Sequence, residues 1–121
     1  MYHIFVYGSL RVGEEAHFRM KESTLVRQNC HIYGYSMFIQ GDYPAVIADE
    51  GGSIWGDILK VDDKILAELD VYEEVDQNEY LRVFDDRYQF FIYISAKNRL
   101  PIENRVLSGD WKNRSFFFDS P

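Results

Sequence analysis

Short apolar runs separated by turn residues dominate this chain, and long periodic stretches are few. Residues 2–7 contain the unbroken triplet Ile4-Phe5-Val6 and read as a first strand. That strand breaks directly into Gly8-Ser9-Leu10. Residues 14–21 gather helix-forming side chains and predict a short helix after the loop. Residues 31–39 are β-rich, and Gly34 inside them predicts a bulge or a close packing contact. Glu50-Gly51-Gly52 predicts a turn. Beyond it, residues 53–61 alternate, with Ile54, Gly56 and Ile58 on one face and Trp55, Asp57 and Leu59 on the other. Residues 81–84 and 88–95 flank Asp85-Asp86-Arg87 and predict a hairpin. Many short strands with two helices, and no repeat or linker, predict one α+β domain built on a curled sheet or small mixed β-barrel with short helices packed outside.

The second helix follows Asp62 or Asp63, either of which suits the N-cap. Ile65, Leu66, Leu69 and Tyr72 then form an apolar stripe at 3.6-residue spacing. At about 100° per residue, with Leu69 at zero, the stripe runs from roughly −60° at Tyr72 to about +60° at Leu66. Glu73 falls near about +40°, inside the stripe, whereas Glu74 falls near about 140°, on the side of Asp70. If the helix runs this far, Glu73 faces inward and Glu74 faces solvent. An inward carboxylate is costly to desolvate and asks for a reason. The plain alternative is a frayed last turn that leaves both glutamates in water.

Composition narrows the function. The chain has 121 residues, enough for one core, and 46% of them are hydrophobic, which disfavours disorder. With 13 Lys and Arg against 20 Asp and Glu, the net charge is −7. The basic residues are scattered, so nucleic acid is not an expected partner. No apolar stretch reaches the roughly 20 residues that span a bilayer, and no leader is expected before the first strand. Cys30 stands alone and cannot form an internal disulfide, which fits a cytoplasmic location. Phe116-Phe117-Phe118 reads as a packed tail or a contact in a weak homodimer, the chain otherwise being monomeric.

Two features carry candidate chemistry. A tight Gly turn at a strand end lets backbone N–H groups converge on an anion such as a carboxylate, although many such turns are only turns. The segment Leu69 to Glu74, followed by Tyr80-Leu81-Arg82, offers a carboxylate able to serve as a base. His3, His17, His31 and Cys30 lack metal-ligand spacing, so no metal is expected. Ser9 lacks a nucleophile elbow and a placed histidine, and Gly8 with Gly13 does not make a phosphate loop.

These residues resemble the gamma-glutamylcyclotransferase-like family, in its gamma-glutamylamine cyclotransferase branch. Its members open with a strand leading into Tyr-Gly-Ser/Thr-Leu, here Tyr7-Gly8-Ser9-Leu10. They carry Leu-Asp-x-x-Glu at mid-chain, here Leu69 to Glu73, and then a Tyr-x-Arg strand, here Tyr80 to Arg82. Further matches are Gly41-Asp42-Tyr43-Pro44-Ala45, Gly51-Gly52 before Trp55-Gly56, and Ser108-Gly109-Asp110-Trp111. The motifs are short, but their shared order across nearly the whole chain makes the combination specific.

The resemblance implies a small mixed β-barrel and an intramolecular aminolysis that turns a γ-glutamyl compound into 5-oxoproline and a free amine. It implies Glu73 as general acid/base, Tyr7, Gly8, Ser9 and Leu10 as the substrate-binding loop, a small-molecule γ-glutamyl substrate, and no metal or organic cofactor. One departure is visible: the family often has Gly after the catalytic Glu, and this chain has Glu74. A second carboxylate there would raise the pKa of the first, or simply face solvent. The competing expectation is a non-catalytic module of the same fold that binds an amino-acid-like ligand or a partner protein.

Overall fold

The computed structural model describes residues 1–97 and 99–114. Strands β1 (Tyr2–Val6), β2 (Thr24–Gln40), β3 (Tyr43–Val61), β4 (Tyr80–Asp85) and β5 (Phe90–Ser95) form one sheet in the order β2-β3-β1-β5-β4. Helix α1 (Asp63–Tyr72) packs on it. β1 lies at the centre, antiparallel to β3 and parallel to β5. Its apolar run is unbroken because both sheet faces are covered. Phe5 joins a core with Ile32, Ile54 and Ile92, whereas Ile4 and Val6 join a second core with Leu59, Ile65 and Leu69 beneath α1.

The α+β class holds, but the barrel does not close. Among the described residues β2 and β4 share no ladder and remain the sheet edges. The β2–β3 ribbon instead bends where Gly34, at φ 97°, interrupts the register. There Tyr33 pairs with Ser53 but Tyr35 pairs with Ala48, so Gly34 opposes Asp49 to Gly52. Side chains bridge the remaining gap: the Tyr35 hydroxyl donates to Asp85 Oδ2 at 2.5 Å, and Tyr33 N–H donates to the Tyr88 hydroxyl at 2.8 Å. The same bulge corrects the turn expected at Glu50-Gly51-Gly52, which lies inside β3, while the hairpin turns at Gly41-Asp42.

The short helix expected over residues 14–21 is a 3-10 turn, His17–Met20. Asp62 caps α1, its Oδ1 accepting the Ile65 N–H at 2.9 Å, a contact worth about 1 kcal/mol. Ile65, Leu66 and Leu69 are buried, as the stripe requires. The β4–β5 hairpin forms around Asp85-Asp86-Arg87. No helix among the described residues is long and apolar enough to cross a membrane. The Phe116-Phe117-Phe118 run lies outside the described residues.

Candidate active site

The loop after β1 is held from beneath by a buried charge knot. Arg11 is 1% exposed, and its Nη1 lies 2.8 Å from Asp110 Oδ1 while Nη2 donates to Asn29 Oδ1 at 2.9 Å. Its Nε faces Asp57 Oδ1 at 3.5 Å. Asp57, fully buried, also accepts the Val12 N–H at 2.8 Å and the Asn29 N–H at 3.0 Å. A buried charge is tolerable only when paired in this way. Upstream, Arg11 N–H donates to Gly8 carbonyl oxygen at 3.1 Å and Ala16 N–H to Ser9 carbonyl oxygen at 2.9 Å. The carbonyls of Gly8 and Ser9 are therefore taken. Among the described residues the N–H groups of Gly8, Ser9 and Leu10 make no hydrogen bond.

Gly8 is required by space. A Cβ there would stand 2.6 Å from Pro44 Cγ. Pro44 is pinned opposite Ile39 in the hairpin, and its carbonyl accepts the Tyr80 hydroxyl at 2.9 Å. The stiff ring and the loop backbone thus form two sides of a cavity of about 230 Å³.

The end of α1 supplies the facing wall. The helix stops at Tyr72, and Glu73 caps it with its N–H donating to the Leu69 carbonyl at 2.8 Å. Glu74 then turns to φ 54°, which separates the two glutamates. Both line the cavity; Glu73 is partly buried, whereas Glu74 is exposed. Tyr72 ties this wall to the loop through a 2.8 Å hydrogen bond between its hydroxyl and Ser9 Oγ, and Arg19 lies 4.4 Å over its ring. The loop and the end of α1 are therefore joined directly.

Burial pushes the Glu73 carboxyl up to about 7, and the charge of Glu74 adds to the effect. Arg82 is engaged elsewhere: its Nη1 pairs with Asp70 Oδ2 at 2.9 Å, and the Tyr93 hydroxyl donates to Asp70 Oδ1 at 2.7 Å. No ion pair or hydrogen bond holds the Glu73 carboxylate among the described residues. Tyr7, buried, donates to the Tyr93 carbonyl at 2.7 Å; its burial, then the Glu73 charge, push its pKa well up. Tyr80 is raised by the same two causes. These hydroxyls stay protonated and act only as neutral groups.

The fold thus brings the loop residues Tyr7, Gly8, Ser9 and Leu10 and the helix-end residue Glu73, far apart in sequence, to one cavity. It offers a carboxyl whose pKa burial raises to about 7, together with loop N–H groups that make no hydrogen bond among the described residues and suit an anion. Sequence reasoning did not single out Arg11, or Pro44 and Tyr93 as cavity walls. The Tyr-Pro pair was legible as a motif, but its approach to Gly8 depends on the hairpin. No group of three or more His, Cys, Asp or Glu among the described residues is placed to hold a metal ion.

The model of the family described as Gamma-glutamyl cyclotransferase, AIG2-like, matches residues 4–113. A Vibrio cholerae protein named as a candidate gamma-glutamylcyclotransferase is 30% identical over 112 residues, covering 92% of this chain and 96% of its own. An enzyme of Niallia circulans, named as the gamma-glutamyl cyclotransferase of gamma-L-glutamyl-butirosin B, is 35% identical over 74 residues, covering 61% of this chain and 47% of its own. The solution structure of ytfP from Escherichia coli superposes with a TM-score of 0.68 at 29% identity, covering 92% of this chain and 96% of that one.

Proposed function

The chain belongs to the gamma-glutamyl cyclotransferase, AIG2-like family, and from that premise we propose that it cyclises a small γ-glutamyl amine or amino compound to 5-oxoproline with Glu73 as the proton carrier. One observation carries the reading. Glu73 is partly buried, has its pKa raised to about 7, and lines one cavity with Gly8, Ser9 and Leu10; among the described residues neither its carboxylate nor the N–H groups of those three residues have a partner.

The loop N–H groups receive the substrate's α-carboxylate and aim its α-ammonium at Glu73. Glu73 takes a proton, and the freed amine nitrogen attacks the γ-carbonyl carbon. A C–N bond forms to close the five-membered ring, and the original amide C–N bond breaks. The ammonium loses two protons in becoming the ring N–H, and the departing nitrogen gains two in leaving as an ammonium. Glu73 carries one proton from the attacking to the departing nitrogen and returns to its starting state, and the second is released to solvent from the ring nitrogen and taken up from solvent by the departed amine. A pKa near the working pH suits both directions of transfer. Nucleophile and electrophile share one molecule, so the enzyme's task is to hold the cyclising conformer. Snug walls from Tyr7, Pro44 and Tyr80 favour the folded substrate over the extended one.

The test is a panel of γ-glutamyl amines and amino acids assayed for 5-oxoproline release, with E73Q beside the parent. The parent is expected to turn over at least one compound, and E73Q to lose turnover while still binding 5-oxoproline. Binding without turnover across the panel would make the chain a non-catalytic module.

A further inference from the structure

Glu74 is costly where it stands. Its backbone lies at φ 54° and ψ 44°, the left-handed region that an L side chain enters at a penalty and glycine enters freely. It adjoins Glu73 and disfavours the ionised form of that neighbour. Its side chain is exposed, and its carboxylate makes no ion pair or hydrogen bond among the described residues. Yet it lines the cavity.

The rest of the mouth shares its character. Among the described residues no lysine or arginine lines the cavity. The Tyr43 ring stands at the same opening, 57% exposed, and Tyr72 and Tyr80 add further aromatic surface. An anionic group beside aromatic faces suits an ammonium and repels a carboxylate. Glu74 and Tyr43, both exposed, mark the side of the cavity open to solvent, which is where a released amine has to leave.

We propose that Glu74 is a specificity-determining residue, selecting γ-glutamyl compounds whose released amine bears a second positive charge. The inference rests on the cyclotransferase reading and names its substrate class: γ-glutamyl diamines and polyamines over neutral amides, with γ-glutamyl amino acids, whose leaving group carries a carboxylate, worst.

The experiment compares kcat/KM for three synthetic compounds: the mono-γ-glutamyl amide of 1,4-diaminobutane, the γ-glutamyl amide of pentylamine as its neutral counterpart, and γ-glutamylglycine. The parent is expected to prefer the diamine over the neutral amide by about five-fold, the strong end of an exposed ion pair. Added salt should shrink that ratio. E74Q and E74G should bring it toward one, and E74D should keep part of it. E74G relieves the backbone strain, so it folds even where E74Q does not. A parent ratio near one, or a ratio unmoved in both variants, overturns the inference and leaves the cyclotransferase reading standing. Absence of 5-oxoproline from all three compounds and from the wider panel overturns both.

Discussion

Replacing Glu73 by glutamine should exchange activity for stability, in a pH-dependent way. The carboxyl is displaced from 4.5 to about 7 by burial and by the charge of Glu74. Between those limits the folded chain keeps a proton that the unfolded chain has released, so its stability falls as pH rises through this window. Below about pH 4.5 the cost is absent, and above about pH 7 it is complete. At about 1.4 kcal/mol per pH unit the full cost would be about 3 kcal/mol. Solvent reaches the partly buried group, so about 2 kcal/mol is the figure to expect. Glutamine keeps the shape and does not titrate, and it breaks no hydrogen bond because the carboxylate makes none among the described residues. Urea melts of parent and E73Q at pH 4 and pH 8 measure the effect. The variant's stability relative to the parent should rise by about 2 kcal/mol between the two, or roughly 8 °C in melting temperature, while 5-oxoproline release is lost at both. A difference that stays flat with pH, or a variant that loses ground as pH rises, refutes the reasoning. The second result would mean that a cation stabilises the Glu73 carboxylate in the folded state.

In the parent, kcat/KM should rise with pH through about 7 as Glu73 ionises; E74Q should move that limb lower but keep it above 4.5, because burial remains after the neighbouring charge is removed. Gly8→Ala places a Cβ against the Pro44 ring, and should cost about 1–3 kcal/mol in thermal stability together with a raised KM. Arg11→Met strands the buried Asp57 and should cost about 3 kcal/mol or more, read from denaturant melts at neutral pH.

Much of this molecule is local and therefore legible in the chain. The apolar runs of β1 and β5, the alternation over residues 53–61, the Asp62 cap, the stripe Ile65-Leu66-Leu69 and the hairpin at Asp85-Asp86-Arg87 follow from side-chain periodicity and turn chemistry, which act over a few residues. The order of the short motifs around Gly8 and Glu73 was likewise visible, since it is a property of the sequence itself. Closure was not. Whether a bent ribbon meets the far edge by a ladder or by side chains is decided by long-range geometry, and here Gly34 and the residues opposite it bend β2 and β3 short of pairing with β4. The Gly51-Gly52 pair illustrates the same limit, because a doublet that favours a turn in isolation serves as a bulge when a facing strand holds it. Arg11 with Asp57 and Asp110 spans almost the full chain, and nothing local marks three separate charges as one buried knot. The near-neutral carboxyl of Glu73 belongs to the tertiary structure too: helical phase indicated its face, but desolvation and the diversion of Arg82 to Asp70 exist only once the sheet, helix and loop have come together.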